Sequence, residues 1–142
     1  MQKQNSIPDK IIRKDNVVTE LFGDDLIVQS YVYSYKSKKY WVIRKPITVE
    51  LSDGTIITIP DGFFYDMASV PKFLWSIARP FNDGLFGTLI HDYLYHIKIK
   101  SRKETDKEYL YWNKITNSNI IDNYVRYFFV RAFGWLYWNR II

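Results

Sequence analysis

Both histidines of this 142-residue chain lie in one short stretch, HDYLYH (His91–His96), with an aspartate, Asp92, between them. An imidazole beside a carboxylate can do two kinds of chemistry. Oriented by the carboxylate, the histidine acts as a general base near neutral pH. Alternatively, imidazole and carboxylate together suit zinc, iron or manganese, and an open position on such a metal activates water. At about 100° per residue, His91, Asp92, Tyr95 and Thr88 share one face of a helix, and Leu89, Ile90, Tyr93, Leu94 and Ile97 take the opposite arc. His96 falls at the edge of the polar face and reads as incidental. The polar face thus carries imidazole, carboxylate and phenol in place of the Lys and Glu of a solvated surface.

Two other segments can join it. Arg102 and Asp106 stand four apart, on one face of the next helix, where they can pair. The connection to that helix is short, which predicts antiparallel neighbours and brings Asp106 towards His91 or Asp92. Asp66 sits just past the last strand, where the chain turns towards a helix, and such ends of rigid elements favour working residues. The candidate site is therefore Asp66, His91, Asp92 and Asp106, as catalytic groups or as ligands of a divalent metal. Ser69, Tyr95 and Arg102 support it, Arg102 by orienting Asp106 or by meeting an anionic substrate group. In the competing reading Asp66 caps the following helix while His91 and Asp92 make buried hydrogen bonds that fix packing. A solitary His-Asp pair is a weak signal, so spacing alone favours this second reading. The pair is also similar to that of the HD-type phosphohydrolases, but that fold needs a further upstream histidine, which this chain lacks.

The elements that must position these residues fall into three zones. Residues 1–20 are polar and mixed in charge, and read as a loosely attached leader or an edge segment. Residues 26–65 read as β structure: LIVQSYVYSY and KYWVIRKPITVEL are rich in β-branched and aromatic residues, with KSKK and SDGT as turns. Such short connections favour an antiparallel meander. From Pro71 the pattern turns helical, through SVPKFLWSIA with Ser69 as a cap, DGLFGTLIHDYLYHI with Asp83 as a cap, and SRKETDKEYLYWNKI. In the last of these, Ser101 and Glu104 have the spacing of a capping box. The fold class is α+β: an N-terminal β meander followed by three to four helices, with residues 21–142 as a single domain. The final stretch, NSNIIDNYVRYFFVRAFGWLYWNRII, is apolar nearly all round from Tyr127 to Trp138. A central core helix is the favoured expectation; a peripheral membrane contact or an oligomer contact are the alternatives. Arg131 interrupts the run and argues against spanning a bilayer.

Composition narrows the classes. The absence of cysteine removes disulfides, thiol catalysis and Cys-ligated zinc, and fits a reducing cytoplasm. The N-terminus offers no apolar stretch long enough for a signal peptide, and no run of 18 apolar residues exists. Twelve Tyr, nine Phe and five Trp are a surplus that suits a partner surface. The net charge is +5, and the densest basic cluster, Ile97–Lys103, reads as a solvated loop in preference to a nucleic-acid patch.

FFYDMASVPKFLW, LIHDYLY, SRKETD and VRAFGWLYW, in this order, resemble the bacteriophage and prophage family known as domain of unknown function 1353, over roughly residues 45–140. The resemblance marks Asp66, Ala68, Ser69, Pro71, His91, Asp92, Leu94, Tyr95, Arg102 and Asp106. Tyr65 stands where the family usually has Thr, and Thr105 where it usually has Ala. A phage setting is implied, and no activity. Two functions are expected from residues and resemblance together. One is a small, metal-dependent hydrolase. The other is a virion structural or assembly component in which the same residues form a hydrogen-bond network, with another phage protein or a second copy as partner. Either would reside in the host cytoplasm or in the particle.

Overall fold

The computed structural model describes residues 11–17, 30–35, 38–43, 46–66, 85–116 and 119–139. Strands come first and helices after, in one α+β domain. The strands are β1 (Ile11–Ile12), β2 (Ser30–Tyr35), β3 (Lys38–Ile43), β4 (Ile47–Glu50), β5 (Ile56–Ile59) and β6 (Phe64–Asp66). The helices are α1 (Leu85–Ile97), α2 (Arg102–Thr116), α3 (Ile120–Phe133) and the single turn α4 (Trp135–Trp138). The helix expected over SVPKFLWSIA and the Asp83 cap lie outside the described residues.

The strands form two three-stranded sheets, ordered β1-β4-β5 and β2-β3-β6. Hairpins β2–β3 and β4–β5 are antiparallel, as short connections require. Two pairings go beyond a plain meander. β1 runs parallel to β4, at the sheet edge, and β6 returns past the β4–β5 hairpin to pair with β3. The turn at Gly62 makes that return, with φ of 81°, a left-handed value that glycine adopts at no steric cost. Its N–H donates to the Ile43 carbonyl, and the Ile43 N–H donates to Phe63, so the end of β3 is stitched to the turn before β6.

One apolar core lies between the β4–β5 sheet and the helices. β4 supplies Ile47 and Val49, β5 supplies Ile57 and Ile59 on alternate positions, and α1 supplies Phe86, Leu89, Ile90 and Leu94. Trp112 of α2 closes this core, its ring edge-on to Phe86. α1 is consequently covered on two sides, by the core and by α2. Gly87 permits the second contact: a Cβ there would lie 2.2 Å from the Asn113 side-chain oxygen.

Local sequence fixes the ends of α2 and α3. The Ser101 N–H donates to Glu104 Oε1 and the Glu104 N–H to Ser101 Oγ, both at 3.1 Å, a reciprocal capping box. Asn119 accepts from the Asp122 N–H at 3.0 Å and caps α3. α1 ends at Lys98, whose φ of 53° takes the left-handed position usually given to glycine, with its N–H on Leu94.

The turn after β4 is bolted to α2. Glu108, buried, accepts from the Ser52 N–H at 2.7 Å, from the Ser52 hydroxyl, and from Trp112 Nε1 at 3.0 Å. Removing the acceptor orphans the buried Trp112 N–H and unfastens the Ser52 turn from α2. Glu108→Ala is expected to destabilise the chain by about 3 kcal/mol. Ser52→Ala, which keeps the N–H bond, should cost about 1 kcal/mol. Urea unfolding followed by circular dichroism measures both.

Candidate functional site

α1 and α2 run antiparallel, so residues at helical spacing meet along one polar line. Gly87, His91 and Tyr95 on α1 face Asn113, Tyr109 and Asp106 on α2. Asp106 is the hub. Its carboxylate has no exposure at all, and each oxygen takes two donors. His91 Nε2 lies 2.7 Å from Oδ1, and the Tyr95 hydroxyl donates to the same oxygen at 2.6 Å. Arg131 Nη1 donates to Oδ2 at 2.7 Å, and Arg102 Nη1 reaches it at 3.4 Å. Three helices thus converge on one carboxylate.

Each donor is itself held. The His91 ring lies between the rings of Tyr95 and Tyr109, at centroid distances of 4.2 and 4.6 Å. Arg102 also donates to the carbonyls of Val130 at 3.0 Å and Arg131 at 3.3 Å, satisfying the last turn of α3 where its dipole is negative. Gly134 follows that turn and lies against the cluster. A Cβ there would stand 2.3 Å from the Val130 carbonyl and 2.4 Å from the Tyr95 hydroxyl. Only glycine lets the chain leave α3 while Tyr95 keeps its bond to Asp106.

Burial, the largest influence on the His91 imidazole, disfavours its charged form. The hydrogen bonds and charges of Asp106 and Asp92 outweigh burial, and the pKa is raised above 6.5. The Tyr95 phenol is pushed above its ordinary value, first by burial and then by its bond to Asp106, so it stays a donor.

Of the residues expected at the site, His91, Asp106, Tyr95 and Arg102 are brought into direct contact. Asp92 is adjacent, half-buried, with Oδ1 3.9 Å from His91 Nδ1. Asp66 ends β6, opposite Tyr40 in register, and β6 lies against α1. The Asp66 side chain and Ser69 lie outside the described part of the chain. Two contributors escaped the residue-by-residue reading. Arg131 registers in the sequence as a break in an apolar run, yet its ionic contact to Asp106 is shorter than that of Arg102. Gly134 carries no chemistry of its own, and its signal is the VRAFGW element of the family resemblance.

The donor set does not fit a metal centred on Asp106. A carboxylate offers about four lone-pair positions, and here four donors engage them. Among the described residues, no three His, Asp or Glu side chains are grouped to hold an ion. Three of the four cations in the basic loop are likewise committed within the chain: Lys98 to Trp138, Lys100 to Asp53 and Arg102 to Asp106. Lys100 holds the Asp53 carboxyl below the ordinary range.

A family model described as a protein of unknown function (DUF1353) matches residues 41–130. The chain belongs to this family. No curated protein and no solved structure matches it. The match in this DUF1353 chain takes in β4 to β6, α1, α2 and most of α3, hence every contributor to the cluster except Arg131 and Gly134. Thr105 donates its hydroxyl to the Ser101 carbonyl at 3.0 Å and so is buried without an orphaned group.

Two outcomes follow for purified protein in chemical denaturation. Asp106→Asn leaves three basic groups facing a neutral amide and is expected to cost about 3–5 kcal/mol; Gly134→Ala is expected to cost about 1–3 kcal/mol through overpacking. The pH dependence has a definite sign. His91 gains proton affinity on folding, so its contribution is fully present below pH 6.5 and fades as pH rises through the raised value. A melting profile between pH 5.5 and 8.5 should fall through that window in the wild type, and His91→Gln should flatten it.

Proposed function

We propose that this DUF1353 chain is a non-catalytic structural or assembly component, encoded by a bacteriophage or prophage, in which the Asp106 cluster locks three helices together. One observation carries the reading. Asp106 is sealed from solvent and its oxygens are engaged by donors from α1, α2 and α3. A group that takes substrate or metal keeps an open position, and this carboxylate keeps none. The aromatic surplus then serves contact with another phage protein or with a second copy. The working place of such a component is the host cytoplasm during assembly, or the particle itself.

A second reading has its own support. A buried aspartate that holds one imidazole nitrogen, leaving the other towards a partly exposed group, is how a general base is oriented. Here His91 Nδ1 faces Asp92, whose side chain is about a quarter exposed. In that reading the protein is a small hydrolase that uses His91 and Asp92.

The discriminating experiment combines particles and a mild variant. Mass spectrometry of purified phage particles and assembly intermediates is expected to find the protein, and Asp92→Asn is expected to leave particle yield and melting temperature unchanged. If the protein is absent from both fractions, and Asp92→Asn abolishes an ester- or amide-hydrolysing activity of the folded protein, the hydrolase reading replaces the assembly reading.

A further inference from the structure

α3 is built inside out. Its buried residues are Asp122, Asn123, Arg126 and Val130, while Ile120 is 70% exposed, Ile121 69% and Phe128 64%. On a helical wheel Ile120, Tyr124, Phe128 and Ile121 fall within one arc of about 100°. The exposed rings of Trp135 and Tyr137 continue beyond the end of α3. A soluble monomer rarely shows a contiguous apolar strip of this kind without a partner for it.

Charge selects the partner. The only acid in residues 119–139 is Asp122, which is buried and paired with Arg126 at 3.0 Å, so the strip shows no carboxylate. Beside it runs a row of cations. Lys103, Lys107 and Lys114 recur at helical spacing on one side of α2, all exposed. Lys114 Nζ lies 5.3 Å from the Tyr124 ring centroid, which sets this side of α2 alongside the strip. Lys98 sits over the Trp138 ring at 4.3 Å, at the other end. Apolar side chains projecting from a helix, amphipathic Tyr and Trp rings, and flanking lysines are what an interfacial helix presents to lipid.

We infer that the outer face of α3, with the lysine row of α2, docks this protein on an anionic lipid bilayer, peripherally. No described helix is long and apolar enough to cross a membrane, and none is needed. Ile120, Ile121 and Phe128 enter the acyl boundary, the Tyr and Trp rings lie at headgroup depth, and the lysines meet lipid phosphates. A second copy fits less well, because pairing two such faces brings together two chains of net charge +5, whereas an anionic surface gains from that charge. The inference does not rest on the assembly reading, since an enzyme or a scaffold can dock in this way.

The test is flotation of the full-length protein with vesicles of phosphatidylcholine alone and of phosphatidylcholine with phosphatidylglycerol. Binding is expected only to the anionic vesicles, and it should weaken as salt is raised from 50 to 500 mM, by screening. Lys103→Glu/Lys107→Glu/Lys114→Glu should weaken binding on the order of a hundredfold or more, and Ile121→Ser/Phe128→Ser should abolish it. Because all five positions are exposed, both variants should melt as the wild type does. Lys14→Glu, beside β1, should bind normally. Absence of binding, equal binding to neutral vesicles, or binding untouched by either set of changes overturns the proposal. A concentration-dependent dimer that Phe128→Ser dissolves, in a protein that ignores vesicles, assigns the face to a second copy instead.

Discussion

Burying one carboxylate is the constraint around which the helical half of this chain is arranged. Moving an ionised Asp106 out of water is costly by several kcal/mol even after relaxation, and a partial set of partners does not recover the loss. The cost is offset only because donors arrive from three directions. His91 and Tyr95, one turn apart on α1, take one oxygen, while Arg102 and Arg131 take the other. This makes the cluster a gauge of register. A one-residue slip of α1 would carry His91 about 100° around its axis and leave a buried charge with half its partners. Apolar contacts, which lack direction, would tolerate the same slip far better. Arg102 and Gly134 extend the gauge to the end of α3, one by binding its last carbonyls and the other by leaving room for the Tyr95 hydroxyl.

The layering explains why α3 turns a polar face inward. The apolar space between the β4–β5 sheet and α1 is already filled, and Trp112 closes it from α2. What α2 offers beside that core is polar: Arg102, Asp106, Tyr109 and Asn113. A helix packing there must match charge and hydrogen bonds, and α3 does so with Arg131 on Asp106, while its own Asp122 and Arg126 pair with each other. The match is incomplete. Arg126 is 1% exposed and bonded through Nε to Asp122, while Nη1, Nη2, the Tyr109 hydroxyl and the Asn113 amide are buried without hydrogen bonds. The directed contacts of this interface are gathered at its Asp106 end, where Arg131 and Arg102 bind the carboxylate and the last carbonyls of α3.

What the sequence made legible was local. The capping box at Ser101 and Glu104, the turn at SDGT, the span of α1 and the Arg102–Asp106 pair all depend on residues within four positions of each other. The approach of Asp106 to His91 was also legible, because a short connection between two helices leaves few ways to place them. Contacts across longer separations were hidden. Arg131 is 25 residues from Asp106, and hydropathy counts it as an interruption of an apolar run. Glu108 reaches Ser52 across 56 residues with no pattern in either segment to announce it. The pairing of β6 with β3 has the same character, since a three-residue strand has little preference of its own. The reversal of α3 is more instructive. Periodicity shows that a helix has two faces; which one turns inward depends on what its neighbour presents, and a core helix was the natural expectation for Tyr127–Trp138. The sequence held one contrary sign: the residues on the less apolar face, Asp122, Asn123 and Arg126, are short of the Lys and Glu that a solvated face carries.

The buried cluster and the exposed apolar face have a common origin. A charge lock of this kind holds only if water is kept out, because high dielectric weakens each of its contacts. α3 supplies that cover. Arg131 closes over Asp106 and the buried Val130 offers its carbonyl to Arg102, and both belong to the helix that carries the apolar strip. A polar outer face would have served the lock equally well, since among the described residues none buries Ile120, Ile121 or Phe128. Three large apolar side chains held in water gain nothing for the fold, and their places could be taken by Lys or Glu with better helix propensity and solubility. In the proposed lipid contact, the requirement for them lies outside the chain. The lock fixes α3 in a single orientation, and that orientation presents the strip, together with the lysine row of α2, as one surface.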